Sequence, residues 1–153
     1  MSVVIRSMQD DEAEIVAHMV RALARDQGSD VIPRLTAAKL LAARDLIDVV
    51  VAQDEAKLLG ACLWLMTYST WRARKGVYIV DLYVASEARN RRIGARLMAE
   101  AAKRGRARGA RFVKLEVEAN NDGAARFYER HGFARKSDRL YILEGDALDQ
   151  LID

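Results

Sequence analysis

Proline occurs once in these 153 residues, cysteine once and histidine twice. With a single proline and no Gly/Ser-rich or low-complexity run, no stretch reads as a linker between domains. Residues 1–153 are therefore expected to form a single domain, long enough to bury a real core. Cys62 stands alone, so an intrachain disulfide is excluded. Its place in the apolar run Leu58–Met66 predicts a buried, inert thiol. His18 and His131 have no second His, Cys or acid at ligand spacing, so no metal is expected. No apolar run reaches the length of a membrane span. The N-terminus lacks the basic, apolar, small-residue order of a secretion signal. These absences fit a cytoplasmic protein that works away from membranes.

Positive charge is present and concentrated. Between Arg89 and Arg111 there are nine Lys/Arg against the single acid Glu100. That segment carries +8 in a chain of net charge +3, which leaves the remainder at −5. A local field of this size suits a polyanionic ligand, either nucleic acid or a phosphorylated cofactor.

The apolar pattern then gives the elements. Val3–Ile5 reads as a first strand. Asp10 and Asp11 offer an N-cap to a helix whose Ile15, Val16, Met19, Val20 and Leu23 share one face, with Gly28 as its stop. Thr36 caps a second helix carrying Leu40 and Leu41. Ile47–Ala52 and Leu58–Tyr68 read as strands joined at Asp54-Glu55. Val77–Val84 is a further strand, followed by a long helix from Ile93 to Arg108 closed by Gly109. Phe112–Val117 alternates as a strand. Gly123–Arg130 is a short helix ended by Gly132. Leu140–Leu143 reads as a last strand and Asp146–Ile152 as a terminal helix. A meander followed by strand–helix–strand is a mixed α/β sheet with helices on both faces.

The turn from Val84 to Gly94 leaves a strand and enters a helix. Free N–H groups at a helix N-terminus bind phosphate, helped by the dipole. Gly94 lets backbone approach an anion, and Arg89, Arg91 and Arg92 add charge. A solvated basic helix start reads the same way on these residues alone.

Val84–Leu97 resembles the acetyl-CoA-binding motif of the GNAT acetyltransferases, Arg/Gln-x-x-Gly-x-Gly/Ala, here Arg89-x-x-Arg92-x-Gly94. Arg92 stands where the motif has its first glycine. Asn121-x-x-Ala124-x-x-Phe127-Tyr128, then Gly132-Phe133, resembles the second signature of the family. The two follow in the family's order and spacing, and the resemblance covers nearly the whole chain, Ile5-Arg6 included. Tyr68-Ser-Thr-Trp71, Tyr78-Ile-Val-Asp81-Leu-Tyr-Val84 and Tyr141-x-x-x-Gly145-x-Ala147-Leu148 are similar to the diamine (spermidine/spermine) N-acetyltransferase subfamily.

The resemblance implies a central mixed, mostly antiparallel sheet of six to seven strands with a parallel splayed pair, flanked by about four helices. It implies acetyl-CoA as cosubstrate, a small-molecule primary amine as acceptor, and a homodimer. Backbone groups of Leu82, Tyr83 and Val84 would pair with pantetheine. Arg89, Asn90, Arg91, Arg92, Ile93, Gly94 and Ala95 would hold the pyrophosphate, with Asn121 and Ala124 on the cofactor's other side. Tyr128 would return a proton to the departing thiolate. Tyr68, Trp71, Asp81 and Glu116 are the acceptor-facing candidates.

An amine must be neutral to attack a thioester, and alkyl ammonium groups have a pKa of about 10.4, so a base is required. The diamine subfamily usually carries glutamate before Asp81, and this chain has Val80. Strand alternation points Asp81 to the opposite face from Val80, where it would bind a cationic amine or lie in a structural hydrogen bond. Glu116 and Glu118 share one face of the neighbouring strand, either reaching the acceptor or solvated, and the identity of a water-mediated base stays open. Other readings keep the chemistry and change the acceptor to an aminoglycoside, an amino acid or a protein amino group. A non-catalytic acyl-CoA sensor is a further reading. Nucleic acid is disfavoured as a partner because no aromatics interleave with the arginines of the basic helix.

Overall fold

Val49, Val50, Val51 and Ala52 are all buried, although strand alternation points them to opposite faces of one strand. Such a run needs cover on both sides of a sheet. The computed structural model describes residues 2–153 and supplies that cover. Two compact units are present, one ending at Glu118 and one spanning Ala119–Asp153.

In the first unit, strand β1 (Val3–Ser7) is followed by a 3₁₀ turn, Asp10–Glu12, and helix α1 (Ala13–Asp26). Helix α2 (Ala37–Ala42), β2 (Asp48–Asp54), β3 (Lys57–Ser69), β4 (Arg74–Val84), helix α3 (Ile93–Ala107) and β5 (Ala110–Lys114) complete it. The five strands lie in the order β1-β2-β3-β4-β5. The first three junctions are antiparallel, and β4–β5 is parallel across the α3 crossover. The second unit holds α4 (Asp122–Arg130) and α5 (Asp146–Ile152).

Each face has its own core. Met8, Val16, Met19 and Leu40 meet Val49, Val51, Ala61 and Leu63 on the α1/α2 face. Ile93, Leu97 and Ala101 of α3 are buried on the other side, where Trp64 and Val77 are also buried. Helix α3 lies close because it presents Gly105 to β4. A Cβ there would stand 2.1 Å from Val77 Cγ2, and Val77 is fully buried. Gly105→Ala is expected to lower stability by about 1–2 kcal/mol, overpacking outweighing the helix propensity gained. An unchanged or higher urea midpoint would contradict this contact.

Three expectations need correction. Asp10 and Asp11 do not cap α1. They form the 3₁₀ turn, which a capping box of Gln9 and Glu12 closes (Gln9 N–H to Glu12 Oε1, 2.7 Å). Arg6 pins that turn to the sheet edge, with a two-pronged ion pair to Glu12 (2.9 and 2.6 Å) and a bond to Gln53. Strand β5 stops at Lys114 rather than Val117, because β4 beyond Tyr78 offers it no further pairing. Leu140–Leu143 is not a strand, and the sheet of the described residues has five strands rather than six or seven. A strand exists through its ladder, and no ladder partner meets 140–143 among the described residues. All four side chains are exposed.

Candidate active site

Strand β4 is paired with β3 from Arg74 to Val84. On its other edge β5 pairs only at Lys75, Val77 and Tyr78. The parallel pair therefore splays after Tyr78. Leu82, Tyr83 and Val84 have no strand on that side among the described residues. An open edge of this kind offers N–H and C=O groups to an extended ligand.

A β-bulge sits at the splay. Leu63 faces Asp81 and Trp64 faces Ile79, which leaves Val80 as the extra residue. The bulge changes which side chains share a face. Without it, Tyr78 and Asp81 would point oppositely. With it, Tyr78 is opposite Leu65 and Asp81 opposite Leu63, both on the α1/α2 face.

Asp81 is half-buried, and no hydrogen bond to its carboxylate is found among the described residues. Burial pushes its pKa up to about 6. Tyr78 donates its hydroxyl to Glu116 Oε1, just past the end of β5. Burial first, then that carboxylate, pushes Tyr78 up to about 12, and Asp81 adds to the effect. Lys114 Nζ lies 5.5 Å from the centre of the Tyr78 ring. A carboxyl poised near neutrality, a second carboxylate and a hydroxyl thus gather at the bulge. Cys62, buried on the opposite face, has its thiol raised to about 12 by burial and is inert.

Beyond Val84 the chain turns into the basic loop. Ala85 N–H bonds Leu59 O (2.8 Å), buried Ala88 seats the 3₁₀ turn Ser86–Ala88, and buried Ile93 anchors the start of α3. The first bond of α3 is Arg96 N–H to Arg92 O. The N–H groups of Ile93, Gly94 and Ala95 precede it, without intrahelical partners. Arg92 is the N-cap at φ 61°, and Asn90 is also left-handed at φ 69°. A glycine would take Arg92's conformation without strain, at the position where the motif it resembles has its first glycine.

The three arginines differ in their ties. Arg89 is held by Asp26 of α1 (2.7 Å) and donates Nε–H to Val84 O. Arg91 meets Asp54 at 3.4 Å. Arg92 has no ion pair or hydrogen bond to its side chain among the described residues and is exposed. Farther along α3, Arg96 reaches Val3 O (2.8 Å), and Arg104 reaches Ser7 and Asp48. These two stitch the helix to β1 and β2.

In the second unit, Asn121 caps α4, its side chain accepting from Ala124 N–H (3.1 Å). Tyr128 stands half-buried in an aromatic cluster, edge-on to Phe127 at 5.2 Å and to Phe133 at 5.5 Å. Helix α4 ends in a Schellman motif. Phe133 N–H bonds Tyr128 O, Gly132 N–H bonds Glu129 O, and Gly132 takes φ 91°. The Tyr128–Phe133 ring contact is the hydrophobic contact that goes with this motif.

The structure thus brings Asp81 and Glu116 to one face and sets Leu82–Val84 directly before the loop. It does not bring Tyr68 and Trp71 to the bulge. Tyr68 pairs with Lys75 near the start of β4, and Trp71 lies on the β3–β4 turn, 98% exposed. Tyr78 and Asp26 escaped the sequence reading. Tyr78 stands in the quoted stretch Tyr78–Val84, but strict alternation hides its alignment with Asp81. Nothing in the sequence points Asp26 at Arg89.

The model of the acetyltransferase (GNAT) family matches residues 10–133. Over 102 residues the chain is 33% identical to an uncharacterized N-acetyltransferase of Methanocaldococcus jannaschii, which covers 64% of this chain and 44% of that protein. Over 91 residues it is 34% identical to N-alpha-acetyltransferase 30 of Schizosaccharomyces pombe, covering 60% and 59%. The chain spans about half the length of these relatives. Among solved structures, an integron cassette protein of V. cholerae has a TM-score of 0.80 at 22% identity, covering 99% and 98% of the two chains. An aminoglycoside acetyltransferase from an uncultured soil sample has a TM-score of 0.72 at 19% identity, covering 95% and 100%. These two likenesses are of fold.

Proposed function

Given that this chain belongs to the GNAT acetyltransferase family, we propose that it moves an acetyl group from acetyl-CoA to a primary amine of a small cationic molecule, by direct attack in a ternary complex, and that its 153 residues work as one domain. The observation that carries this reading is the open β4 edge at Leu82–Val84 running straight into the amide-rich, cationic start of α3. A strand-like arm ending in phosphates fits that sequence of groups. Leu82, Tyr83 and Val84 hold the arm. Arg89 through Ala95 hold the pyrophosphate, and the family resemblance adds Asn121 and Ala124 as cofactor contacts.

When bound, acetyl-CoA supplies the acetyl group as an activated thioester. Asp81 is the base: its raised pKa of about 6 keeps it ionised at neutral pH yet a better proton acceptor than an ordinary carboxylate. A water between Asp81 and the ammonium carries the proton. By the family resemblance, Tyr128 would return a proton to the departing thiolate. Asp81 and Glu116 on one face favour a cationic acceptor, which supports the polyamine-like choice. One relative is named for N-alpha acetylation and one structural neighbour for aminoglycosides, so a peptide N-terminus and an aminoglycoside belong in any acceptor panel.

Arg92 gives a separable test. Left-handed backbone costs an ordinary L-residue about 1–2 kcal/mol. Arg92→Gly is expected to gain up to about 1 kcal/mol of stability in urea unfolding, after the extra chain entropy of glycine is subtracted. It is expected to weaken CoA binding about tenfold in calorimetry, through the lost guanidinium contact. Unchanged CoA affinity would remove the Arg92 side chain from the phosphate site.

A further inference from the structure

Two clusters of positive charge stand at opposite ends of β4. One is the loop at Arg89–Arg92. The other is at the strand's start, where the turn Ser69–Lys75 carries Arg72, Arg74 and Lys75 with no acid. The α3–β5 turn brings Arg108 and Arg111 to the same end: Lys75 pairs with Ala110, and its Nζ donates to Arg108 O at 3.3 Å. Residues 76–84 of the strand lie between the two groups, roughly 30 Å.

Trp71 sits in this second group with 98% of its surface exposed. Large aromatic rings are seldom left that bare. Its turn is ordered, with Arg72 N–H bonded to Ser69 Oγ (3.2 Å) and the Arg72 guanidinium 5.3 Å over the Phe112 ring. In sequence, Trp71 lies more than thirty residues from Arg108 and Arg111. Folding places the turn of one beside the turn of the other.

From this juxtaposition we infer that Trp71, Arg72, Arg74, Lys75, Arg108 and Arg111 form a docking surface for single-stranded nucleic acid. Trp71 is the stacking platform for a base, and the guanidinium and ammonium groups follow the phosphates. Four of the five cations are arginines, whose planar forks match phosphate oxygens and stack on bases. A membrane surface fits less well, because this turn offers one large apolar side chain where interfacial binding uses a broad apolar face. The surface stands independently of acetyl transfer at the far end of β4.

The test is binding of a labelled single-stranded oligouridylate to the intact protein, followed by anisotropy across a salt series. Trp71→Ala is expected to weaken binding roughly tenfold, with Trp71→Phe restoring most of it. Trp71 projects into solvent, so neither variant threatens the core. Arg74→Ala is expected to flatten the plot of log affinity against log salt by about 0.7, one phosphate contact on a single strand. Tryptophan emission is expected to be quenched on binding, through Trp71, since Trp64 is fully buried. Equal affinity for wild type and Trp71→Ala would overturn the inference. So would tighter binding to phosphatidylserine vesicles or to polyglutamate than to the oligonucleotide.

Discussion

Asp81→Asn is expected to lower kcat/KM for the amine by 10²–10⁴-fold, the usual worth of a positioned base, while making the folded protein more stable at pH 8. Both effects come from one placement. Asp81 is half-buried with no bonded partner for its carboxylate among the described residues, and burial holds its pKa near 6 rather than 3.8. Ionising it therefore costs more in the folded state than in the unfolded one. Below about pH 3.8 both states hold the proton, and the cost is absent. It grows between pH 3.8 and 6 and is complete above about 6, where it reaches at most roughly 3 kcal/mol. Asparagine removes the cost. The variant is expected to match wild type in acid and to exceed it in urea midpoint at pH 8. In activity, the wild-type kcat/KM is expected to fall below about pH 6 as Asp81 takes up its proton. A variant that is less stable at pH 8, or that keeps the wild-type acidic limb, would show that Asp81 is structural.

Tyr128→Phe is expected to lower kcat by about 10²-fold or more, with little change in the KM for acetyl-CoA. The end of α4 keeps the ring in place in this variant. Tyr128 contributes its carbonyl to the Schellman motif and its ring to the contact with Phe133, and phenylalanine keeps both. Only the hydroxyl is lost. Tyr128→Ala differs, because it removes the ring contact that closes the helix. A Tyr128→Phe enzyme with full turnover would remove the Tyr128 hydroxyl from the mechanism.

The elements that were legible in the sequence are those with local causes. Thr36 caps α2 with its hydroxyl, accepting from Lys39 N–H, as its residue type suggests. Helical spacing puts Ile93, Leu97, Ala101 and Ala102 on one face of α3; the first three are buried and Ala102 is half-buried. The strand–turn–helix around Arg89–Gly94 was readable because strand, loop and helix are all written within one short stretch. What escaped depends on distant partners. A bulge at Val80 is a mismatch of register between β3 and β4, and neither strand carries it alone. Missing it hid the alignment of Tyr78 with Asp81. Strand β5 ends at Lys114 because β4 leaves it, although the alternation continues to Val117. Leu140–Leu143 has the residues of a strand and no ladder, since composition does not supply a neighbour. Arg104 belongs by sequence to the basic run of 89–111, and its side chain reaches Ser7 and Asp48, partners the run itself does not show. Trp71 was grouped with Tyr68 by motif, and the turn separates it from the bulge.

The most direct measurement is release of free CoA thiol from acetyl-CoA over a panel of amines: a diamine, an aminoglycoside, an amino acid and a peptide N-terminus. The expected result is amine-dependent release, greatest with the diamine, with acetylated amine formed in equal amount to thiol. Tight binding of acetyl-CoA with no release above background for any amine would contradict acetyl transfer and make the protein an acyl-CoA binder.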